Sequence, residues 1–235
     1  MRTVILSDIH QKPEQAEAIL LKARPWDQAV FTGDYFDDWG DSAHDAARTA
    51  KWIVDIDAEA PITKLLGNHD VHYLYPALHA ARCSGFTSAK LGAIGAAIDI
   101  VKLRRQLLPY IWVDGWLVSH AGIHPRFLHG TKGKKAKKRL NELAQTAVAD
   151  LEANKLHYFF DAGADRGGSR QVTGGINWLD WDSFIPIAGI NQIVGHSFDK
   201  KPRMKQSDNS TNFCIDTALH HYIVIEDGQA SVEEA

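Results

Sequence analysis

Cysteine is scarce in this chain. Only Cys83 and Cys214 occur among 235 residues, far apart and in no metal-ligand spacing. That excludes a disulfide scaffold and a structural zinc knot, and it points to reduced thiols in a cytoplasmic setting. Long apolar runs are also missing. None approaches the ~20 residues of a spanning helix, so no membrane partner is expected. The start, "MRTVILSDIH", is interrupted by Asp8 and His10 and reads as a strand rather than a secretory signal. No large charge excess is present: a net charge of −3 gives no global pull toward nucleic acid or anionic lipid. Repeats, low-complexity tracts and flexible linkers are absent. Nothing in the sequence speaks to oligomeric state.

What remains is an alternation of strands and helices. "RTVILS" is β-rich and nearly continuously apolar, as in a strand buried on both faces. "KPEQAEAILLKA" has Pro13 near a helix start and apolar residues at helical spacing. "DQAVFTGD" is a second strand, "DSAHDAARTAKWIVDIDAEA" a second helix, and "ITKLLG" a third strand after Pro61. This order belongs to a layered α/β fold. Residues 72 to 110 are Ala-rich and helical in character, an expected insertion walling one side of a site. "YIWVDGWLVSHAG" predicts a hairpin turning at Asp114-Gly115. "KKAKKRLNELAQTAVADLEANK" predicts a helix with a basic front end, and the Gly-rich stretch after it a long loop. "INQIVGHS", "TNFCID" and "HHYIVIED" close the chain as strands. One domain carrying a helical insertion is the simplest organisation.

The strand ends carry the chemistry. Five apolar runs each finish in Asp, Asn or His: Asp8 and His10; Asp34 and Asp37; Asn68, His69 and Asp70; His120; and His196. Any one of these is an ordinary turn or cap, Asp34 and Asn68 as helix caps included. Five in series at carboxyl ends of strands mark a site. Oxygen and imidazole donors without Cys suit Mn, Fe, Zn or Ni. Residues two apart on an extended strand point the same way, so Asp8 and His10 can reach one ion. The Asp34 carboxylate can bridge two ions, and Asn68 can supply a carbonyl oxygen without adding charge. The count is two metals.

The ordered set "DIH", "GDYFDD", "GNHD", "SHAG" and "GHS" resembles the calcineurin-like metallophosphoesterase superfamily, over most of the chain. "SHAGIHP" and "VGHS…FCIDT" resemble most the branch of phosphoprotein phosphatases and bacterial diadenosine tetraphosphate hydrolases. The resemblance implies a two-sheet β-sandwich flanked by helices (αββα) with a dinuclear site at the strand ends. It assigns Asp8, His10 and Asp34 to one ion, and Asp34, Asn68, His120 and His196 to the other. Manganese is the leading choice of metal. The resemblance also makes His69 the catalytic histidine, oriented by Asp37, with Asp70 and Asp216 behind the ligands. Phe198 stands where many relatives carry a further histidine, which implies fewer protein ligands on the first ion. Asp38 stands where phosphoprotein phosphatases carry Arg, so the phosphate clamp would fall to Arg126, Arg166 or Arg170.

The chemistry implied is hydrolysis of a phosphomonoester or nucleotide-type phosphate by a hydroxide bridging two ions, with His69 protonating the leaving oxygen. The expected partner is therefore a phosphorylated small molecule or nucleotide. Nucleic acid is a second candidate, because "KGKKAKKR" (132–139) could track a backbone in an end-processing phosphatase or nuclease of the same fold. A non-catalytic, metal-stabilised binding module is the third reading. His44, His72, His79, His129 and His157 are expected at the surface or at caps, and His124 near substrate or on a turn. Trp178 and Trp181 are expected as core or loop anchors.

Overall fold

The computed structural model describes residues 1–56, 61–168, 171–207 and 209–235. Eleven strands among these residues form two sheets. The first contains β1 (Arg2–Leu6), β2 (Gln28–Phe31), β3 (Ile62–Leu65), β4 (Leu107–Leu108), β10 (His221–Glu226) and β11 (Gln229–Glu234), in the order β11-β10-β1-β2-β3-β4. The second contains β5 (Tyr110–Val113), β6 (Trp116–Ser119), β7 (Asn191–Val194), β8 (Arg203–Ser207) and β9 (Ser210–Cys214), in the order β5-β6-β7-β9-β8.

Alternation along the strands explains why the sheets stack. Ile5, Val30, Ile223 and Ile225 share a buried core with Val113, Trp116, Val118 and Ile193 of the other sheet. Their neighbours Val4, Leu6, Ala29, Phe31, Tyr222 and Val224 belong to a second core. There they join the apolar faces of α1 (Pro13–Lys22) and α2 (Ala43–Asp55). Successive side chains on a strand face opposite ways, so β1, β2 and β10 each serve both cores. The continuous apolar runs of the sequence are the consequence. Further helices are α3 (Asn68–Leu74), α4 (Ser88–Ala97), α5 (Ile100–Arg104) and α6 (Gly133–Glu152). The fold is the helix-flanked two-sheet sandwich expected from the sequence. No helix among the described residues is long and apolar enough to cross a membrane.

Parallel pairing places the strand ends together. β1, β2, β3 and β4 run parallel, as do β6, β7 and β9. Their carboxyl ends therefore open on one side of each sheet. The predicted hairpin is β5–β6, with Asp114 and Gly115 both at positive φ as a primed turn requires.

Candidate metal centre

Each strand end delivers its polar residues into a loop zipped to its neighbour. His10 N–H donates to the Asp34 carbonyl at 2.7 Å, and Gln11 N–H to that of Tyr35 at 3.0 Å. On the other sheet Gly195 N–H donates to the His120 carbonyl at 2.7 Å. Close approach requires glycine at two points. A Cβ on Gly67 would lie 2.2 Å from Asp34 Oδ1, and one on Gly195 would lie 1.8 Å from Asp8 Oδ2.

The side chains gather into two groups that share one residue. Ligand atoms of Asp8, His10 and Asp34 lie within 4.8 Å of one another, and so do those of Asp34, His120 and His196. Asn68 joins the second group, its Oδ1 2.8 Å from His120 Nε2 and 2.8 Å from His196 Nδ1. The two sheets thus contribute jointly. The strand alternation expected from the sequence is not what brings Asp8 and His10 together. β1 ends at Leu6, and both residues take left-handed backbone, at φ 47° and 40°. Asn68 is not the cap of α3 either: Gly67 is, so the Asn68 side chain is not spent on capping that helix.

The donor set fits cations. His10 donates Nδ1–H to the Asp37 carbonyl at 2.5 Å, and His120 donates Nδ1–H to the Thr32 carbonyl at 3.1 Å. Each imidazole therefore turns an Nε2 lone pair toward Asp34, at 3.8 Å for His10 and 3.4 Å for His120. Burial, then neighbouring histidines, holds the His10 imidazolium pKa down at about 4 and that of His120 well below its usual range. His196 is lowered by burial and next by the Arg166 charge. The neutral His120 Nε2 lone pair faces the acceptor oxygen of Asn68 at 2.8 Å, a repulsive contact that a cation between them relieves. The carboxylates tell the same story. Burial pushes Asp8 and Asp34 well above the ordinary carboxylate range, and mutual repulsion with Asp216 and Asp70 adds to it. Buried like charges of this kind call for a positive counter-charge.

Residues behind these donor groups hold the loops. Asp70 accepts from the N–H groups of Asp34, Tyr35 and Gly67, each at 2.9 Å. Asp216 lies near Asp8, and burial raises it to about 6. Asn68 Nδ2 donates to Cys83 Sγ at 3.4 Å, which aims Oδ1 at the histidines. His69 N–H donates to Asp34 Oδ1 at 2.9 Å, and its ring Nδ1 lies 3.0 Å from Asp37 Oδ2. The imidazole thus sits beside the metal groups, tied to a carboxylate. That Asp37 carboxylate also receives Tyr73 and Lys90, neither of which the sequence singled out.

The predicted arginines separate. Arg166 pairs with Asp180 through Nε at 2.8 Å and Nη2 at 2.5 Å, near enough to His196 to act on its charge. Arg126 instead spends its guanidinium on the carbonyls of Thr173 and Gly174. Arg170 lies outside the described residues. His72, expected at the surface or a cap, is buried, with Nδ1 on the Leu78 carbonyl and its ring against Phe86. Trp178 packs edge-on to His196, and Trp181 is buried beside Phe184. Within the basic run, Lys137 lies over the Trp112 ring and Arg139 donates to the Phe127 carbonyl.

The family model described as calcineurin-like phosphoesterase matches residues 1–197. No curated protein sequence matches the chain. Among solved structures, the fold is similar to a cold-active protein-tyrosine phosphatase of a psychrophilic Shewanella species. The TM-score is 0.62 at 16% identity, covering 98% of this chain and 80% of that one. It is also similar to a protein serine/threonine phosphatase from Saccharomyces cerevisiae, at TM-score 0.52 and 12% identity, covering 100% and 80%. A protein provisionally described as a diadenosine tetraphosphatase aligns at TM-score 0.50 and 16% identity, covering 99% and 93%.

Proposed function

The chain belongs to the calcineurin-like phosphoesterase family, a family of metal-dependent phosphoester hydrolases, and from that premise we propose its ligands, its acid and its substrate class. It hydrolyses a phosphomonoester or a nucleotide-type phosphate. Asp8, His10 and Asp34 hold one divalent ion; Asp34, Asn68, His120 and His196 hold the second. Mixed oxygen and imidazole donors suit manganese, with iron, zinc and nickel as competitors. Bound as a pair, such ions would polarise the phosphoryl group and lower the pKa of water.

The chain's own residues do the rest. Asp34 would be the ligand common to both ions: its Oδ2 faces His10 Nε2 at 3.8 Å and His120 Nε2 at 3.4 Å, while Oδ1 accepts the His69 N–H. His69 holds a proton on Nε2 and delivers it to the leaving oxygen as the P–O bond breaks and water oxygen joins phosphorus. Asp37 receives Nδ1–H and fixes the ring. Arg166, braced by Asp180, offers its guanidinium to the non-bridging phosphate oxygens. Both cysteines are buried and free, which supports a reducing, cytoplasmic setting.

One observation carries this reading: a single carboxylate shared by two ligand groups, with a carboxylate-braced histidine next to it. That histidine favours catalysis over a metal-stabilised binding role. The test is a chelator-stripped protein reloaded with Mn²⁺, Fe²⁺, Zn²⁺ or Ni²⁺ and offered phosphomonoesters, diesters, dinucleotides and phosphopeptides. Asp34→Asn is the blank. Metal-dependent turnover of monoesters or dinucleotides, absent from the blank, is expected. A protein that binds the ions and turns over nothing would sink the proposal.

A further inference from the structure

Lys90 is the only lysine besides Lys64 that is buried among the described residues. It lies on α4, whose cap Thr87 accepts the Lys90 N–H at 3.2 Å. Its Nζ reaches Asp37 Oδ1 at 3.0 Å, Asp41 Oδ1 at 2.5 Å and the Gly85 carbonyl at 2.9 Å. Three acceptors around one ammonium use all three of its protons. Burial pulls the ammonium pKa down, but its bonds to Asp41 and Asp37 outweigh burial and raise it, so the charge is retained.

The oxygens of Asp37 are divided. Oδ1 accepts from the Tyr73 hydroxyl at 2.6 Å and from Lys90 at 3.0 Å. Oδ2 is left for His69 Nδ1 at 3.0 Å. The turn at Gly85 presses on the same group, since a Cβ there would lie 3.0 Å from Asp37 Cγ. Two donors on Oδ1 stop the carboxylate from rotating, and the positive charge keeps Asp37 and Asp41 from repelling each other apart.

We propose that Lys90 is a positioning residue for proton donation by His69. With Tyr73 it locks Asp37 so that the imidazole stays aimed at the leaving-group oxygen. The α4 helix then belongs to the acid machinery. This inference rests on the proposed role of His69, and the experiment separates the two.

A positioned acid matters most when the leaving group is a poor one. Loss of a general acid costs on the order of 10²–10⁴-fold in rate, and loss of its aim a part of that. Lys90→Met is expected to lower kcat on an alkyl phosphate by about tenfold or more. On p-nitrophenyl phosphate, whose leaving anion needs no proton, the loss is expected to stay within about threefold. KM and the Mn²⁺-induced rise in melting temperature stay at the wild-type values. Tyr73→Phe moves the same ratio in the same direction and serves if Lys90→Met does not fold. In a His69→Ala background, Lys90→Met adds no further loss, because both changes remove one device. In the metal-free protein, the downfield proton resonance of His69 Nδ1–H, identified by its loss in His69→Ala, broadens or vanishes in Lys90→Met. Equal losses on both substrates, or additive losses in the double variant, overturn the inference alone. Wild-type protein without metal-dependent turnover overturns both it and the reading beneath it.

Discussion

Replacing Asp34 by Asn tests the centre on two sides at once. Asp34 is 2% exposed, and burial, Asp70 and Asp8 all work against its charge. Without cations that charge is a liability. The amide keeps the shape, and its Oδ1 still accepts the His69 N–H now bonded at 2.9 Å. Metal-free Asp34→Asn is therefore expected to melt no lower than metal-free wild type. With cations the sign reverses. Mn²⁺ at 100 times its dissociation constant stabilises the wild type by about 2.7 kcal/mol. At about 2–4 °C per kcal/mol for a domain of this size, the melting temperature rises roughly 5–11 °C. The variant has lost the carboxylate common to both ligand groups, so most of that rise should vanish, and bound metal with it. Calorimetric scans with and without Mn²⁺, together with elemental analysis, read both sides. A variant that keeps the full Mn²⁺-dependent rise shows that Asp34 is no shared ligand. A metal-free variant melting far below wild type shows that the carboxylate serves a structural ion pair instead.

Two further outcomes follow from the same geometry. Gly67→Ala places a Cβ 2.2 Å from Asp34 Oδ1, so it should cost about 1–3 kcal/mol or more in urea unfolding and abolish the Mn²⁺-dependent rise; unchanged values for both would mean that the loops part freely. Mn²⁺ affinity should fall with pH: Asp8 and Asp34 have raised pKa values, so protons compete with the ion above the ordinary carboxylate range, and below about pH 4 His10 protonates as well. Titration calorimetry in buffers of different ionisation enthalpy should find protons released on binding, and an affinity flat from pH 5 to 8 would contradict the assignment.

The core strands were legible because each is buried on both faces and ends in a polar residue. β1, β2, β3 and β7 read as apolar runs followed by Asp, Asn or His. β4 was not legible: it is two residues long, and its pairing with β3 is set by the tertiary fold. β8, "RMKQS", is a largely exposed edge strand with no apolar face to announce it. The donor types of the proposed site were legible for a chemical reason, since Asp, His and Asn are the donors that Mn, Fe, Zn and Ni take. Lys90 and Tyr73 carried no signal. Their partner Asp37 lies 53 and 36 positions away, and a lone lysine in an Ala-rich helix looks like a solvated one. His72 misled for the same reason, because its burial depends on Phe86 and Leu78 folding over it.

The way "DIH" works shows what a motif leaves unsaid. Extended backbone would send Asp8 and His10 to the same side of a strand. The chain instead turns left-handed at Asp8, His10, Asp34, Asp37 and His196, with φ between 40° and 69°. Left-handed backbone costs an ordinary L-residue roughly 1–2 kcal/mol. Five such residues would consume much of a net stability of about 5–15 kcal/mol. Asp and His are enriched in that region, which lowers the cost. The side chains proposed to bind cations are thus also those that tolerate the backbone needed to aim them. The remaining strain is opposed by the loop bonds that Asp70 accepts from three N–H groups and that Asp8 accepts from His196 N–H at 3.0 Å. On this account the spacing between motif residues reflects where each strand stops, and the convergence comes from the turns that follow.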